Sequence, residues 1–563
     1  MNPNKRDRSL IATAKNIALA IVGYFVISVI VGAMRGILPG LLFTGISFVL
    51  TLGLVGFVVY EIFLGRTETK TDADKRRMDA TRRTLKEVTK TVFSFETVHP
   101  DMPIINVTKP ERGVLIIAGA GSGKSASVIE PIIVQSIQQN FGGLLYDFKF
   151  PSLATVAKYA ADACKTSTKL YYIDLEDLSR SHRVNPLRPD LMRTQSYADE
   201  YGKCILNNLK PESIQKSDYW TDEASSYLTA VIWFLREEYP QYCTLPHVVS
   251  LVLEDTIKVV ELLSTNAETR GTVASLRGAI ERKAEAQVAG IDSTLKTALR
   301  KINTKEIAWV LSGNDFSLNL NDPEEPKFVT LGNYDGLRGV FGPVLALIAT
   351  VALKQMNQPG KQNSVVILDE APTIYIPGLE HIPATARSNK VATVFAAQDI
   401  AQIEDAYGRL KKDTLIANLS NQFWGRVGLV GTAQYVAELW GKHEVVQTTK
   451  SVSKSTAGAT IFSQATYSKS SSESRQERQR IQINDVTELK EGEFFGQLVE
   501  SEYSSFKAQL KAPQIGPLPQ MLPFQDISSE QIRANFLQIQ KDVQEILKNK
   551  TNSTKKIAQP DDF

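Results

Sequence analysis

The sequence is poor in the residues that build metal centres and disulfide frameworks. Its three cysteines, Cys164, Cys204 and Cys243, stand far apart, and no pair has the spacing of a zinc site. They read as structural thiols of a reducing compartment. The five histidines, His99, His182, His247, His381 and His443, include no pair four residues apart, so a helical histidine metal site has no support. A surplus of one charge is also missing. Sixty-four basic against 61 acidic residues leave a net charge of +3, which by itself does not argue for nucleic acid. The apolar share of 43% and charged share of 22% are ordinary for a folded protein, and 563 residues leave room for several domains.

Long uncharged runs are present at the start. Asn16 to Met34 and Ile37 to Tyr60 carry no charge and are separated by Arg35-Gly36. Each approaches or exceeds the about 20 residues that cross a bilayer. A signal peptide has a shorter apolar core and is not followed at once by a second span. The competing reading is a buried helical hairpin. Lys5, Arg6, Arg8 and Lys15 precede the first run, and Arg66, Lys70, Lys75, Arg76 and Arg77 follow the second. Positive charge on both flanks places both ends in the cytoplasm, with a short outer turn near Arg35 to Pro39. The expectation is a two-helix membrane anchor over 1–64, then a juxtamembrane linker over 65–95. The linker's basic residues suit anionic membrane lipid as well as a solvated helix face.

The rest of the chain is organised around Val114 to Ser125, V-L-I-I-A-G-A-G-S-G-K-S. Four apolar residues predict a buried strand, a glycine-rich turn follows, and Ala126-Ser127-Val128-Ile129 can open a helix. This is a phosphate loop in its context of strand, loop and helix. Gly119, Gly121 and Gly123 let backbone N–H groups point inward around a polyphosphate, with Ala118, Ser122 and Ala126 completing the cradle. Lys124 can reach the β- and γ-phosphates of ATP, and the Ser125 hydroxyl can ligate Mg²⁺. The pattern's first glycine is Ala118 here, a position that needs only a small residue.

A second strand candidate, Gly143 to Asp147, makes a βαβ unit and hence a parallel sheet, with Asp147-Phe148-Lys149 at its carboxyl end. Leu170 to Asp174 is a third. From Ser196 to Asp315 helical periodicity takes over, over Ala224–Leu235, His247–Leu263, Val273–Ala289 and Ser293–Ile302. Strands return at Lys327–Gly332, Ser364–Leu368, Val391–Ala397 and Gln422–Gly428, with a helix over Gly342–Met356. The division read from this is nucleotide-binding domain over 96–195, inserted all-α domain over 196–315, nucleotide-binding domain again over 316–525, and a C-terminal helix and disordered tail over 526–563. Within it, Lys450 to Ser474 is too rich in Ser, Thr, Gly and Lys to bury a core and reads as a mobile loop or exposed hairpin.

Val365-Val366-Ile367-Leu368 delivers Asp369-Glu370 to the same sheet edge. Asp369 is placed to hold Mg²⁺, and Glu370 to orient or deprotonate an attacking water. Gln398, ending the next strand, is placed to sense the γ-phosphate; its bland reading is a strand-capping amide. Arg387 is placed to stabilise transition-state charge from a neighbouring subunit; its bland reading is a surface arginine. Arg409, Lys411 and Lys412 read more readily as a solvated charge run than as a DNA contact.

With these residues in place the chain resembles the type IV coupling proteins, the TraG/TraD-like ATPases of conjugation and type IV secretion. The resemblance rests on the ordered set: two apolar spans, Ala118 to Ser125, Asp147-Phe148-Lys149, Asn185-Pro186-Leu187, Tyr219-Trp220 with Ala224, Leu368-Asp369-Glu370, Arg387 to Gln398, Tyr407-Gly408 and Asn418. It implies an α/β, RecA-like P-loop NTPase with an inserted all-α domain. It also implies a homo-hexameric ring under the bacterial inner membrane and ATP and Mg²⁺ at the site. The partners implied are relaxase-bound single-stranded DNA and type IV secretion channel subunits. Two departures stand out: an outer turn shorter than the family's periplasmic segment, and Val184 where an aromatic is common. A coupling receptor that delivers only protein effectors shares every visible motif, and DNA dependence separates the two. Another membrane P-loop DNA translocase is a further reading. No DNA-reading C-terminal domain of the kind expected there is visible after Pro523.

Overall fold

The computed structural model describes residues 93–456 and 465–557; the anchor expected over 1–64, most of the linker and residues 558–563 lie outside the described residues. The folded part begins at β1 (Phe93–Glu96), paired antiparallel with β2 (Ile104–Val107). Phe93 and Phe95 are buried, so residues 93–95 of the expected linker belong to the fold.

Seven strands form a parallel sheet: β3 (Val114–Ile117), β4 (Gly142–Asp147), β5 (Lys169–Ile173), β6 (Lys327–Gly332), β7 (Ser364–Leu368), β8 (Val391–Ala397) and β9 (Asn421–Trp424). A ribbon, β10 (Lys442–Thr456) with β11 (Ala465–Gln479), stands apart as its own two-stranded sheet. Beyond it β12 (Glu493–Gln497) and β13 (Ser505–Gln509) extend the main sheet antiparallel, giving the order β13-β12-β9-β3-β8-β7-β4-β6-β5. The central strands are buried on both faces, which is why they read as unbroken apolar runs.

Side chains alternate between two cores. Val114, Ile116, Val365, Ile367, Val394 and Ala396 face one core with α1 (Glu130–Gln138) and α2 (Ser152–Cys164). Leu115, Ile117, Val366, Leu368, Phe395 and Ala397 face the other, with α3 (Gln195–Leu209) and the helices beyond it. Among these are α4 (Tyr219–Glu238), α5 (Leu245–Val252), α6 (Lys305–Leu311) and, after β6, α7 (Arg338–Met356). The helical stretch Asp335–Met356 is long and apolar enough to span a membrane, but 72% of its apolar window is buried. It is a core helix, apolar all round because it is wrapped.

Between β5 and β6 the described chain holds helices and no strand. Two of the helices expected there are interrupted. The stretch 247–263 breaks before Asp255, whose side chain accepts from the Lys258 N–H and starts a new helix at Thr256. The stretch 273–289 breaks at Lys283, which turns left-handed at φ 55° before a helix over Glu285–Arg300. Of the stretch 450–474, expected as a mobile loop or an exposed hairpin, the described residues belong to the hairpin strands β10 and β11, which pair from Lys442↔Gln479 to Thr456↔Ala465.

After β13 the chain crosses back. Gly516 passes against Tyr159 of α2, and the Phe524 ring sits 4.5 Å from that of His182 beyond β5. The chain then enters α8 (Ser529–Ile557), which takes up most of the segment expected as a C-terminal helix and disordered tail over 526–563. Val543 and Ile546 of α8 are buried in the core shared with the helical segment, and Asp542 Oδ2 lies 3.3 Å from His247 Nε2 of α5. The C-terminal helix is therefore part of the helical layer.

Candidate functional site

The sheet order decides where the charged residues meet. β8 lies between β3, which feeds the phosphate loop, and β7, which ends in Asp369-Glu370. The carboxyl ends of the three strands thus bring Lys124, Gln398 and Glu370 side by side. Lys124 Nζ donates to Glu370 Oε1 at 2.7 Å, and Gln398 Nε2 donates to the same oxygen at 3.2 Å. Lys124 and Glu370 are 7% and 8% exposed, so each charge needs the other.

The loop itself is built by close backbone packing. Gly123 has φ +85°, and a Cβ there would stand 2.8 Å from the backbone nitrogen of Gly492. The Gly492 N–H donates to Ser122 O at 2.9 Å, so the turn before β12 braces the loop from behind. Ser122 Oγ donates to Gly119 O at 2.6 Å. Ser125 opens a single π turn, Ser125–Ile129, that leads into α1. Ala118 continues β3 and is fully buried; its N–H donates to Ala397 O at 3.1 Å, so a small apolar side chain suffices there. Ala126 is half-buried in the π turn.

Asp369 is 6% exposed and its Oδ1 has no hydrogen-bond partner. Burial pushes its carboxyl up to about 6, Glu370 adds to the rise, and Lys124 and Lys149 oppose it. A buried carboxylate oxygen without a partner, close enough to the phosphate loop for Lys124 to act on it, fits a divalent cation. Asp147 has a different task. Its Oδ2 accepts from the N–H groups of Leu153 and Ala154 at 2.8 and 3.0 Å and so caps α2. Burial pushes Asp147 up to about 7, against those bonds.

Glu370 leaves β7 with φ 49°, a left-handed conformation that costs a non-glycine residue about 1–2 kcal/mol. The turn Ala371–Thr373 holds it there: Thr373 donates to Glu370 O through its N–H at 3.0 Å and its Oγ1 at 2.6 Å.

Arg387 is not brought to this cluster. It precedes β8, whose seven residues separate it from Gln398 by roughly 20 Å, and it lies exposed at the sheet's amino edge. Arg409, Lys411 and Lys412 follow Gly408. Lys411 donates to Tyr375 Oη at 2.5 Å, and Lys412 pairs with Glu404 at 2.6 Å and Asp413 at 3.3 Å.

Two further cations lie at the site: Lys149, within the Asp147-Phe148-Lys149 stretch read at the end of β4, and Arg426, which escapes a reading of motifs. Arg426, just past β9, accepts the Gly119 N–H through its carbonyl at 2.8 Å. Its exposed guanidinium comes within 3.9 Å of where a Cβ on Gly121 would stand. Lys149 is exposed after β4 and its charge acts on Asp369. The available signal is position: each is a basic residue just past an apolar strand of a parallel sheet.

The family described as type IV secretory system conjugative DNA transfer matches residues 73–494. No curated protein sequence matches the chain. Among solved structures, the unbound bacterial conjugative coupling protein TrwBdeltaN70 is similar with a TM-score of 0.59 at 13% identity, over 78% of this chain and 93% of that one. Plasmid coupling protein TrwB in complex with ADP and Mg²⁺ gives 0.58 at 13% identity, over 77% and 93%. TrwB with the ATP analogue ADPNP gives 0.56 at 13% identity, over 73% and 88%. At these identities the likeness is one of fold, a mixed α/β architecture around a mostly parallel sheet. The sequence match spans most of the chain, and the protein belongs to the type IV secretory system conjugative DNA transfer family.

Proposed function

We propose that the protein is an inner-membrane coupling ATPase that recruits a relaxase-bound single strand and drives it into a type IV secretion channel by ATP hydrolysis. The observation that carries this reading is the convergence of Lys124 and Gln398 on one oxygen of Glu370, in a chain of the conjugative DNA transfer family. Lys124 leaves Glu370 to meet the β- and γ-phosphates, and the exchange frees the carboxylate. Glu370 then takes a proton from the water that attacks the γ-phosphorus, as the bond to the ADP oxygen breaks. Gln398, already on Glu370, reports whether the γ-phosphate is in place. Ser125 and Asp369 would hold Mg²⁺, which offsets phosphate charge when bound. The TrwB structures with ADP and Mg²⁺ and with ADPNP support this choice of ligands.

In this reading Arg387 serves the neighbouring subunit's site, because its own is a strand's length away; that requires a ring, and the family resemblance makes it a hexamer. Residues 1–64 anchor the ring in the inner membrane with both ends cytoplasmic, and 65–92 link anchor to motor. The nucleotide-binding segments 96–195 and 316–525 form the motor, and the helical segment 196–315 with the C-terminal helix meets the cargo. The test is ATP hydrolysis by full-length protein in detergent, wild type against Lys124→Ala, with and without single-stranded DNA across a salt series. Hydrolysis that needs Lys124, rises with DNA and loses that rise with salt supports the DNA motor. Lys124-dependent hydrolysis indifferent to DNA replaces it with a receptor for protein effectors.

A further inference from the structure

One of the two bonds that hold Glu370 in its left-handed turn, the one from the Thr373 hydroxyl, is the last of a chain. Glu370 O accepts from Thr373 Oγ1 at 2.6 Å. A hydroxyl has one proton, and this one is committed to Glu370. The Thr373 oxygen therefore accepts from Tyr146 Oη, 2.8 Å away. Tyr146 Oη in turn accepts from Asn333 Nδ2 at 2.7 Å. Asn333 cannot turn its amide over, because its Oδ1 accepts the Tyr334 N–H at 2.9 Å. Its backbone N–H is fixed as well, donating to Asp147 O at 2.9 Å. The relay runs one way, amide to phenol to hydroxyl to carbonyl, across the carboxyl ends of β6, β4 and β7, three neighbours in the sheet. Its first two members are shielded from water: Asn333 and Tyr146 are fully buried, and Thr373 is half-buried. The Tyr146 phenol keeps its proton at neutral pH, as any tyrosine does, and is a donor.

We propose that Asn333, Tyr146 and Thr373 are positioning residues for Glu370. They hold its peptide in the left-handed turn from which the carboxylate faces Lys124 and Gln398. Without the relay only the Thr373 N–H holds that carbonyl, the turn at Glu370 loosens toward an ordinary conformation, and its Cβ swings the carboxylate off that line. None of the three side chains hydrogen-bonds the Glu370 carboxylate, so they act through its backbone. The inference deepens the ATPase reading above and rests on it.

The test uses full-length protein with single-stranded DNA present, and compares Tyr146→Phe, Thr373→Val and Thr373→Ser. Phosphate release gives kcat and KM, and a fluorescent ATP analogue gives affinity. Tyr146→Phe and Thr373→Val are expected to lower kcat about tenfold to 100-fold, as misplacement of a reacting group by about 1 Å does. Affinity should stay within about twofold of wild type, since the phosphate loop is untouched. Thr373→Ser keeps the hydroxyl and should recover most of the rate. Tyr146→Phe added to Thr373→Val should cost nothing further, because the relay is already cut. A purely structural role predicts the opposite pattern: additive losses, lowered affinity and no rescue by serine, any of which overturns the inference. Glu370→Gln separates the two levels. If Glu370→Gln turns over normally, the assignment of the base fails. If Glu370→Gln is dead while Tyr146→Phe and Thr373→Val run at the wild-type kcat, the positioning role alone fails.

Discussion

The two edges of the parallel sheet differ in the charges they bury. At the carboxyl edge Lys124, Glu370 and Asp369 are each under 10% exposed and are drawn together by β3, β7 and β8. At the amino edge Arg387 is exposed, and Arg112, just before β3, pairs with a half-exposed Glu500 at 2.7 Å. Buried charges persist only where partners satisfy them, so Lys124 pairs with Glu370, and Asp369, whose Oδ1 has no partner, leaves a place for a cation. The exposed Arg387 carries no such constraint and can meet a partner from outside. In the proposed reading, chemistry lies at the first edge and communication between subunits at the second.

The largest effect that can break this contrast is at Lys124. Lys124→Ala removes the phosphate-facing cation and leaves Glu370 buried without its ion pair, so hydrolysis should fall about 1,000-fold or more. Membrane insertion, read by carbonate extraction, should be unchanged. A variant that still hydrolyses ATP at half the wild-type rate would remove the carboxyl edge from the account. Next is Arg387→Ala, which should lower hydrolysis about 100-fold while nucleotide affinity holds. Doping Arg387→Ala subunits into Lys124→Ala subunits should restore part of the rate, because each supplies what its neighbour lacks. No restoration at any ratio would mean that Arg387 does not act across a boundary.

A smaller effect concerns the C-terminal helix. Ile546 is 1% exposed, and Ile546→Ala should cost about 2–5 kcal/mol locally. Limited proteolysis should then cut α8 first, with the nucleotide site intact. Protection equal to wild type would show that the helix is not held by this core.

The smallest concerns pH. Burial raises Asp369 to about 6. A carboxyl raised by folding holds its proton more tightly in the folded chain than in the unfolded one. Its contribution to stability is therefore greatest in acid and declines as pH rises from about 4 to about 6. Binding a divalent cation needs the ionised form, so Mg²⁺-dependent nucleotide affinity should weaken as pH falls below about 6. Titration of Mg²⁺ at pH values either side of this should show the change in wild type and lose it in Asp369→Asn. An unchanged pH dependence in Asp369→Asn would place the effect elsewhere.

Much of the carboxyl edge was legible because it is written locally. An apolar strand followed by Gly-Ser-Gly-Lys-Ser or by Asp-Glu needs no tertiary knowledge to place its charges at one edge of a parallel sheet. Strand order was not legible, and it is what puts Gln398 between Lys124 and Glu370 and brings Arg426 against the phosphate loop. The relay through Asn333, Tyr146 and Thr373 was invisible for the same reason: its members are separated by up to 227 residues and meet only across the sheet. In the helical segment the apolar stripe gave helices but not their ends, because Asp255 and Lys283 interrupt by side-chain capping and left-handed backbone without disturbing the stripe. The return of α8 to that segment depends on Val543, Ile546 and Asp542, whose partners lie hundreds of residues earlier.

The most direct test is phosphate release by full-length Glu370→Gln beside wild type, with single-stranded DNA and saturating Mg²⁺ and ATP. The account predicts that the variant binds ATP as tightly as wild type and releases phosphate no faster than Lys124→Ala. Release by Glu370→Gln at the wild-type rate would contradict it, because the oxygen on which Lys124 and Gln398 converge would then have no part in the chemistry.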